Sequence, residues 1–332
     1  MTIVPKHILV IQTAFIGDVI LATALLEKLH THLPEAKIDM LVRKGNEALL
    51  KDHPYLNELI IWDKQGSKYG SLYSILKQIR SSNYDAVVNT QRFGATGMLT
   101  AFSGSTIKSG FAKNPFSIGF THAVPHEIGD GTHETERNQK LIEPFTDSVA
   151  AKPKLYPSEF DFNFIKQFTN LSYITISPTS VWFTKQFPIA KWVDFIDHLP
   201  TNLNVFLLGG PDDKLKNNEL IAKCKNNVPD NLAGKLSFLQ SAALMSKAKM
   251  NFVNDSGPLH LCSAMNAPVT AVFCSTIPSF GFTPLSDVQT VIETTKNLDC
   301  RPCGLHGKTA CPKGHFDCAN TITSNQLLDV LD

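Results

Sequence analysis

The sequence predicts an α/β protein built from two parallel-sheet domains. Three observations carry that prediction. Short, continuous apolar runs, the mark of strands buried on both faces, recur along the chain. Stretches with apolar residues at helical spacing separate them. The alternation runs through the first half, lapses, and restarts near residue 173, so the 332 residues divide into two βα halves.

The elements follow in order. HILVIQ (7–12) is the first strand, and TAFIGD makes a turn. VILATALLEKLHTHL has the helical period and stops before Pro34, which cannot continue a helix. KIDMLVR (37–43) is a second strand, NEALLKDH a short helix and LIIW (59–62) a third strand. LYSILKQIRSS is amphipathic, and DAVVNT (85–90) is strand-like. In the second half YITISP (173–178) is a strand, IAKWVDFIDHL a helix, and NVFLLGG (204–210) a strand ending in paired glycines. LKNNELIAKC and SFLQSAALMSKA are helices, and MNFVND (250–255) is a strand. A short helix runs from Leu259 to Met265, and VTAVF (269–273) is a strand. The boundary falls between Ala150 and Asp161, in a stretch with Pro and Lys. That gives an amino-terminal domain over 1–155 and a carboxy-terminal domain over 156–332, the latter with a Cys-rich tail at 300–318. There is no tandem repeat and no low-complexity tract.

Composition bounds the function. The chain is 43% hydrophobic and 18% charged, as ordinary globular proteins are, with a formal net charge of +1. That balance gives no argument for a nucleic-acid partner, which calls for concentrated positive charge. No run of about 18 apolar residues occurs, so no spanning helix is expected. The opening MTIVPKHILVIQTAF lacks a cleavage pattern and reads as a first strand. The cytoplasm is the expected compartment. Peripheral contact with the inner membrane face stays open, because patches formed in three dimensions do not show in composition. Of seven cysteines, Cys224, Cys262 and Cys274 read as buried small residues.

Open α/β sheets bind ligands beyond the carboxyl ends of their strands, and the polar motifs of this chain stand there. After the first strand, Gly17 permits a tight turn and close approach of another group. Asp18 has two readings: a helix-start acid that accepts orphan amides, or a general base. The helix start favours its charged form and makes it a weaker resting base. No G-x-G-x-x-G follows this strand, which counts against a dinucleotide-dependent dehydrogenase. Around SPTSVWFTKQFP, the hydroxyls and amides of Thr179 and Ser180 suit phosphate oxygens, Lys185 adds a mobile positive charge, and Pro188 begins the next helix. In LLGGPDDK, Asp212 and Asp213 suit a ribose diol or a cap. In NDSGPLH, Ser256 and Gly257 expose amides at a helix start where an anion can sit. Asp255 would repel that anion and should face elsewhere, such as sugar hydroxyls. His260 is a packing histidine or a ligand. Cys300, Cys303, Cys311 and Cys318, with His306 and His315 between them, allow a zinc site, packed thiols or disulfides. They follow the last strong strand and not a cleft motif, which counts against a redox or nucleophilic cysteine.

Taken together, ILVIQTAFIGDVILATALLEKL, SPTSVWFTKQFP, LLGGPDD and NDSGPLHLCSAMNAPVTAVFCSTIPSFGFTPL resemble the lipopolysaccharide heptosyltransferase family. The likeness spans most of the chain and is weakest between Arg92 and Phe162. It implies the GT-B architecture, two Rossmann-like domains facing across a cleft. It implies an inverting glycosyltransferase that moves a heptose from ADP-heptose to a lipid-linked lipopolysaccharide inner-core precursor. By that resemblance Asp18 is the base, Gly17 belongs to the acceptor side, and Arg92, Lys108 and Lys113, which follow the fourth strand, suit the acceptor's phosphates and acidic sugars. Lys185 holds the donor phosphate and assists catalysis, with Thr179 and Ser180 beside it. Asp213 contacts ribose, Asp255, Ser256 and Gly257 hold sugar and pyrophosphate, and His260 joins the donor site. No cofactor and no catalytic metal are implied, and the chain has no Asp-x-Asp pair. The family's frequent Asn-Pro-Gly-Ala is Ser177-Pro178-Thr179-Ser180 here, and its Lys-Arg-Trp-Pro is Lys185-Gln186-Phe187-Pro188, so donor identity is open. Two other functions fit the same layout: a sugar-nucleotide epimerase, which needs no acceptor, and a non-catalytic nucleotide-sugar-binding protein.

Overall fold

The structure, a computed structural model, describes residues 4–65 and 68–331; Met1–Ile3 of the opening stretch lies outside them. The chain divides into two compact units, Met1–Tyr156 and Pro157–Asp332.

In the first unit the chain runs β1 (His7–Ile11), α1 (Ile16–His32), β2 (Lys37–Arg43), β3 (Glu58–Trp62), α2 (Lys68–Ser81), β4 (Ala86–Asn89), α3 (Gly94–Ala101), β5 (Ile107–Phe111), β6 (His122–Val124) and α4 (Glu134–Gln139). The described strands form one six-stranded sheet in the order β3-β2-β1-β4-β5-β6, with every pair parallel. β1 lies between β2 and β4, so the strand order turns back at its carboxyl end. α1 is apolar on nearly all sides, as a helix wedged into a core must be, and Val19 through Leu26 are all buried.

In the second unit the order is α5 (Glu159–Ile165), β7 (Tyr173–Ser177), α6 (Ile189–Asp197), β8 (Asn204–Leu207), α7 (Lys214–Ile221), β9 (Asp230–Asn231), α8 (Phe238–Lys247), β10 (Met250–Asn254), α9 (Gly257–Ala264), β11 (Val269–Phe273) and β12 (Gln289–Glu293). Two short helices close it, α10 (Asp317–Asn320) and α11 (Asn325–Leu328). The second sheet is also parallel, ordered β12-β11-β10-β7-β8-β9, so its switch lies at the carboxyl ends of β7 and β10. Every residue of β7, β10 and β11 is buried. Under the sheet, Trp192 meets Phe187 edge-on at 5.0 Å between ring centroids, and Phe195 lies 4.6 Å from Phe252. Truncating one of these aromatics to Ala costs about 3–5 kcal/mol, the transfer loss plus an unfilled cavity.

Several elements differ from the sequence reading. NEALLKDH forms only a 3-10 turn over Glu47–Leu49, because Asp52 takes a left-handed φ of 58° and Pro54 follows. α1 begins three residues earlier than its apolar period, so Asp18 sits inside its first turn. Gly17 is therefore helical, and the turn before it needs no glycine. β5, β6, β9 and β12 give no clear apolar run. β5 reads IKSGF; Ser109 is buried with its hydroxyl donating to the Leu141 carbonyl at 2.6 Å. Gly110 is required there, since a Cβ would lie 2.4 Å from the Phe120 ring.

Candidate active site

Both switch points are lined by the residues the sequence singled out. In the first unit the loop from Gln12 to Phe15 leaves β1 and enters α1. Gln12 Nε2 donates to Thr90 Oγ1 at 2.9 Å, and Thr13 Oγ1 donates to Gln91 Oε1 at 2.7 Å, tying the ends of β1 and β4 together. Asn46 Nδ2 donates to the Ala14 carbonyl at 2.9 Å, and Lys64 Nζ to Thr13 Oγ1 at 2.9 Å. The Arg43 guanidinium covers the exposed Phe15 ring at 4.9 Å. The loop is thus fixed from the ends of three neighbouring strands, β2, β3 and β4, before Asp18 is presented.

Asp18 is half-buried. Burial pushes its carboxyl up from 3.8 to about 6, and the negative charge of Glu134 adds to the rise. The amides of Asp18 and Phe15 and the charge of Arg92 oppose the shift without cancelling it. Asp18 is therefore both a helix-start acceptor and a group poised near neutrality. The expectation of a weakened base does not hold, because desolvation outweighs the helix terminus. Glu134 keeps its charge although burial opposes it: His126 and Arg137 hold its carboxyl below the ordinary range. Arg137 Nε lies 2.8 Å from Glu134 Oε2, and His126 Nε2 lies 3.7 Å from it. Arg92 stands just past β4, at the same pole as Asp18. Lys108 does not: it pairs with Val87 in the sheet register, low on the strand, while exposed Lys113 lies beyond the carboxyl end of β5. Sequence reasoning missed Glu134, Arg43 and Lys64. Arg43 and Lys64 had a signal, since each ends or follows a strand; Glu134 had none.

In the second unit Lys185 and Asp255 form an ion pair of 2.7 Å, their side chains 15% and 7% exposed. Thr276 Oγ1 donates to the same Asp255 oxygen at 2.6 Å. This is how an acid tolerates an anion-type loop: its charge is directed at the lysine. Asn254, which the sequence reading passed over, fastens the loops. Its Oδ1 accepts from the Phe187 amide at 2.9 Å, and its Nδ2 donates to the carbonyls of Ser177 and Thr179 at 3.3 and 3.4 Å. Gln186 Nε2 donates to the Ser180 carbonyl at 2.6 Å. Thr179 and Ser180 remain partly accessible beside this pair. Ser256 caps α9 in extended conformation, and Gly257 is its first helical residue. Their amides are helix-start donors, while Pro258 supplies none. His260 is buried one turn on. Asp213 caps its own turn, accepting the Gly210 amide at 2.9 Å, and Asp212 is exposed.

Cys300, Cys303, Cys311 and Cys318 line a cavity of about 210 Å³ with His315, and all seven cysteines are free thiols. Burial pushes the Cys318 thiol up to about 11 and raises Cys303 as well, so neither is a ready thiolate. Among the described residues no group of three or more His, Cys, Asp or Glu is arranged to hold a metal ion. The cysteine segment packs on the loops that carry Lys185 and Thr276. A larger open cavity of about 730 Å³ lies at the start of β7, at the opposite end of the sheet, and holds none of these residues.

Residues 72–310, over two thirds of the chain, match the model of glycosyltransferase family 9 (heptosyltransferase). The lipopolysaccharide heptosyltransferase 3 of Escherichia coli K12 is 29% identical over 282 residues, covering 78% of this chain and 80% of its own length. Among solved structures, the glycosyl transferase family 9 protein of Veillonella parvula superposes with a TM-score of 0.83 at 21% identity, covering 100% of this chain and 98% of that one. The E. coli heptosyltransferase WaaC with ADP gives 0.74 at 20% identity, covering 98% and 100%. The two parallel sheets and these likenesses give the GT-B fold. The chain belongs to glycosyltransferase family 9, the heptosyltransferases.

Proposed function

We propose that this enzyme moves a heptose from ADP-heptose to a hydroxyl of a lipopolysaccharide inner-core precursor, with inversion at the anomeric carbon. The observation that carries the reading is a carboxylate, Asp18, raised to about 6 at the switch point of the first sheet. A base near neutrality is ionised at working pH and still accepts a proton well. As the acceptor oxygen bonds to the anomeric carbon, its proton passes to Asp18 and the bond to the ADP oxygen breaks. The first unit takes the acceptor, with Gly17 leaving room beside Asp18. Arg92, Arg43 and Lys64 suit the phosphates and acidic sugars of such an acceptor. The second unit takes the donor. Lys185 exchanges Asp255 for diphosphate oxygens and stabilises the leaving ADP, together with the amides of Ser256 and Gly257. Asp255 then serves the sugar hydroxyls, and Thr179, Ser180 and His260 complete the pocket. Asp213, with Asp212 beside it, takes the ribose. ADP release from ADP-heptose tests the scheme. It should depend on the acceptor; release without acceptor, or none with it, sinks the transfer reading.

The acceptor is lipid-linked, and we infer that the first unit rests peripherally on the inner membrane face. No helix among the described residues is long and apolar enough to cross a membrane. What supports contact is a strip over α3 and the turn after β5. Phe93, Phe102 and Ile118 are 64%, 52% and 100% exposed, and Phe102 meets Phe116 at 6.3 Å. No Asp or Glu occurs from Ala86 to His126, while Arg92 and Lys113 flank the strip. Apolar side chains ringed by positive charge suit anionic lipid. Ile118→Asp should reduce co-sedimentation with phosphatidylglycerol vesicles; wild-type protein that ignores those vesicles refutes the contact.

A further inference from the structure

The segment between β12 and α10 grips the donor site from behind. The Lys308 amide donates to Thr184 Oγ1 at 2.8 Å, and the Thr184 amide donates back to the Lys308 carbonyl at 3.1 Å. Thr184 precedes Lys185 and is 1% exposed. Its hydroxyl oxygen also accepts from Ser275 Oγ at 3.0 Å, and the Ser275 carbonyl accepts the Cys303 amide at 2.9 Å. Gly307 has a left-handed φ of 78°, and a Cβ there would lie 3.0 Å from Lys185 Cγ and 3.0 Å from Thr184 Oγ1. On the other side of the ion pair, Arg301 Nη2 donates to the Thr276 carbonyl at 2.7 Å and to Glu293 Oε2 at 2.6 Å. Thr276 is the residue whose hydroxyl holds Asp255.

We propose that Arg301–Lys308 is a positioning strap for the donor site: Gly307 and Lys308, seated on Thr184, set where Lys185 presents its ammonium. The proposal rests on the reading of Lys185 as the donor-phosphate group. The lysine stem is flexible, with four rotatable carbons, and it aims accurately only if its first atoms are fixed. Gly307 brings backbone against Lys185 Cγ where any side chain would push the stem aside. Thr184 acts through Lys185 and touches no substrate. Of the four cysteines, Cys300 precedes this segment, Cys303 lies in it, and Cys311 and Cys318 follow it.

The test compares three strap variants with Lys185→Ala, reading ADP affinity by calorimetry, melting temperature, and KM for donor and acceptor. Thr184→Val keeps the shape and removes the hydroxyl; Thr184→Ser keeps the hydroxyl; Gly307→Ala inserts a methyl at the stem. Thr184→Val and Gly307→Ala should each weaken ADP about five- to tenfold, the order of one misdirected charge-assisted hydrogen bond. Donor KM should rise with them while acceptor KM holds. Thr184→Ser should recover most of the affinity lost in Thr184→Val. If Lys185→Ala loses ADP affinity while Thr184→Val and Gly307→Ala only lower the melting temperature, the strap is structural and the proposal fails. If Lys185→Ala itself binds ADP like wild type, the donor-site reading falls, and the strap with it.

Discussion

Asp18→Asn should make the protein more stable and nearly inactive. The folded carboxyl titrates near 6, against an ordinary 3.8. Between those pH values the folded protein holds a proton that the unfolded chain releases. Stability therefore falls as pH rises through the window from about 4 to about 6, and the whole loss is present at neutrality. A shift of about two units corresponds to ~3 kcal/mol at ~1.4 kcal/mol per unit. Asn carries no charge at any pH and still accepts the helix-start amides. The variant should therefore gain up to ~3 kcal/mol at pH 7, on the order of 5–10 °C in melting temperature for a domain of this size. The gain should shrink as pH falls toward 4. Transfer should drop by roughly two to four orders of magnitude, the usual worth of a general base. ADP binding should persist, because the residues proposed for the donor belong to the other unit. Thermal melts of both proteins across pH 5–8, paired with an ADP-release assay, decide it. Near-normal turnover in the variant would falsify the base; a pH-independent loss of stability would refute the burial account of its pKa.

The electrostatics of the same site give a paired test. In wild type kcat/KM should fall about tenfold per unit below pH ~6. Glu134→Gln removes a charge that raises Asp18, so this acid limb should move to lower pH; Arg92→Ala removes one that lowers it, so the limb should move up. Shifts in the same direction would show that something other than charge is at work. Arg92→Ala should also raise acceptor KM more than donor KM, and the reverse pattern would move Arg92 out of the acceptor site. Lys185→Ala should weaken ADP by at least tenfold, about one charge-assisted contact, and lower turnover as well.

How much of this was legible in the sequence depended on whether neighbours in space were neighbours in sequence. β1, β2, β7 and β11 were plain because a strand buried on both faces is mostly apolar, even where it carries a buried polar residue such as Asp39 of β2. β5 was not, because its buried Ser109 and its Gly110 answer to Leu141 and Phe120, partners the strand itself does not name. β9 and β12 sit at sheet edges, where one side needs no apolar cover. The loops proposed for the donor were readable because parallel topology puts polar residues after β7 and β10 at one point, although the fastening role of Asn254 was not. Arg43 and Lys64 follow the same rule and went unread only because single basic residues after strands look ordinary.

Asp18 shows the limit most sharply. Its local sequence, an acid in the first turn of a helix, points to a lowered pKa and a weak base. The structure reverses that sign. The reversal comes from apolar packing around α1 and from Glu134, an acid whose charge survives burial only because Arg137 and His126 sit on it. Each of those three would be read alone as a satisfied structural residue. Together they keep a negative charge near Asp18 that adds to the rise its burial imposes, and the folded state carries the electrostatic strain. A site of this kind is destabilising by construction, since relieving the strain through Asn removes the carboxylate proposed to accept the proton. In the second unit a buried acid is paired with Lys185, and contacts that hold the pair come from a segment after the last strand. In both units the candidate reacting group is near its strand in sequence, and what tunes it arrives from later in the chain.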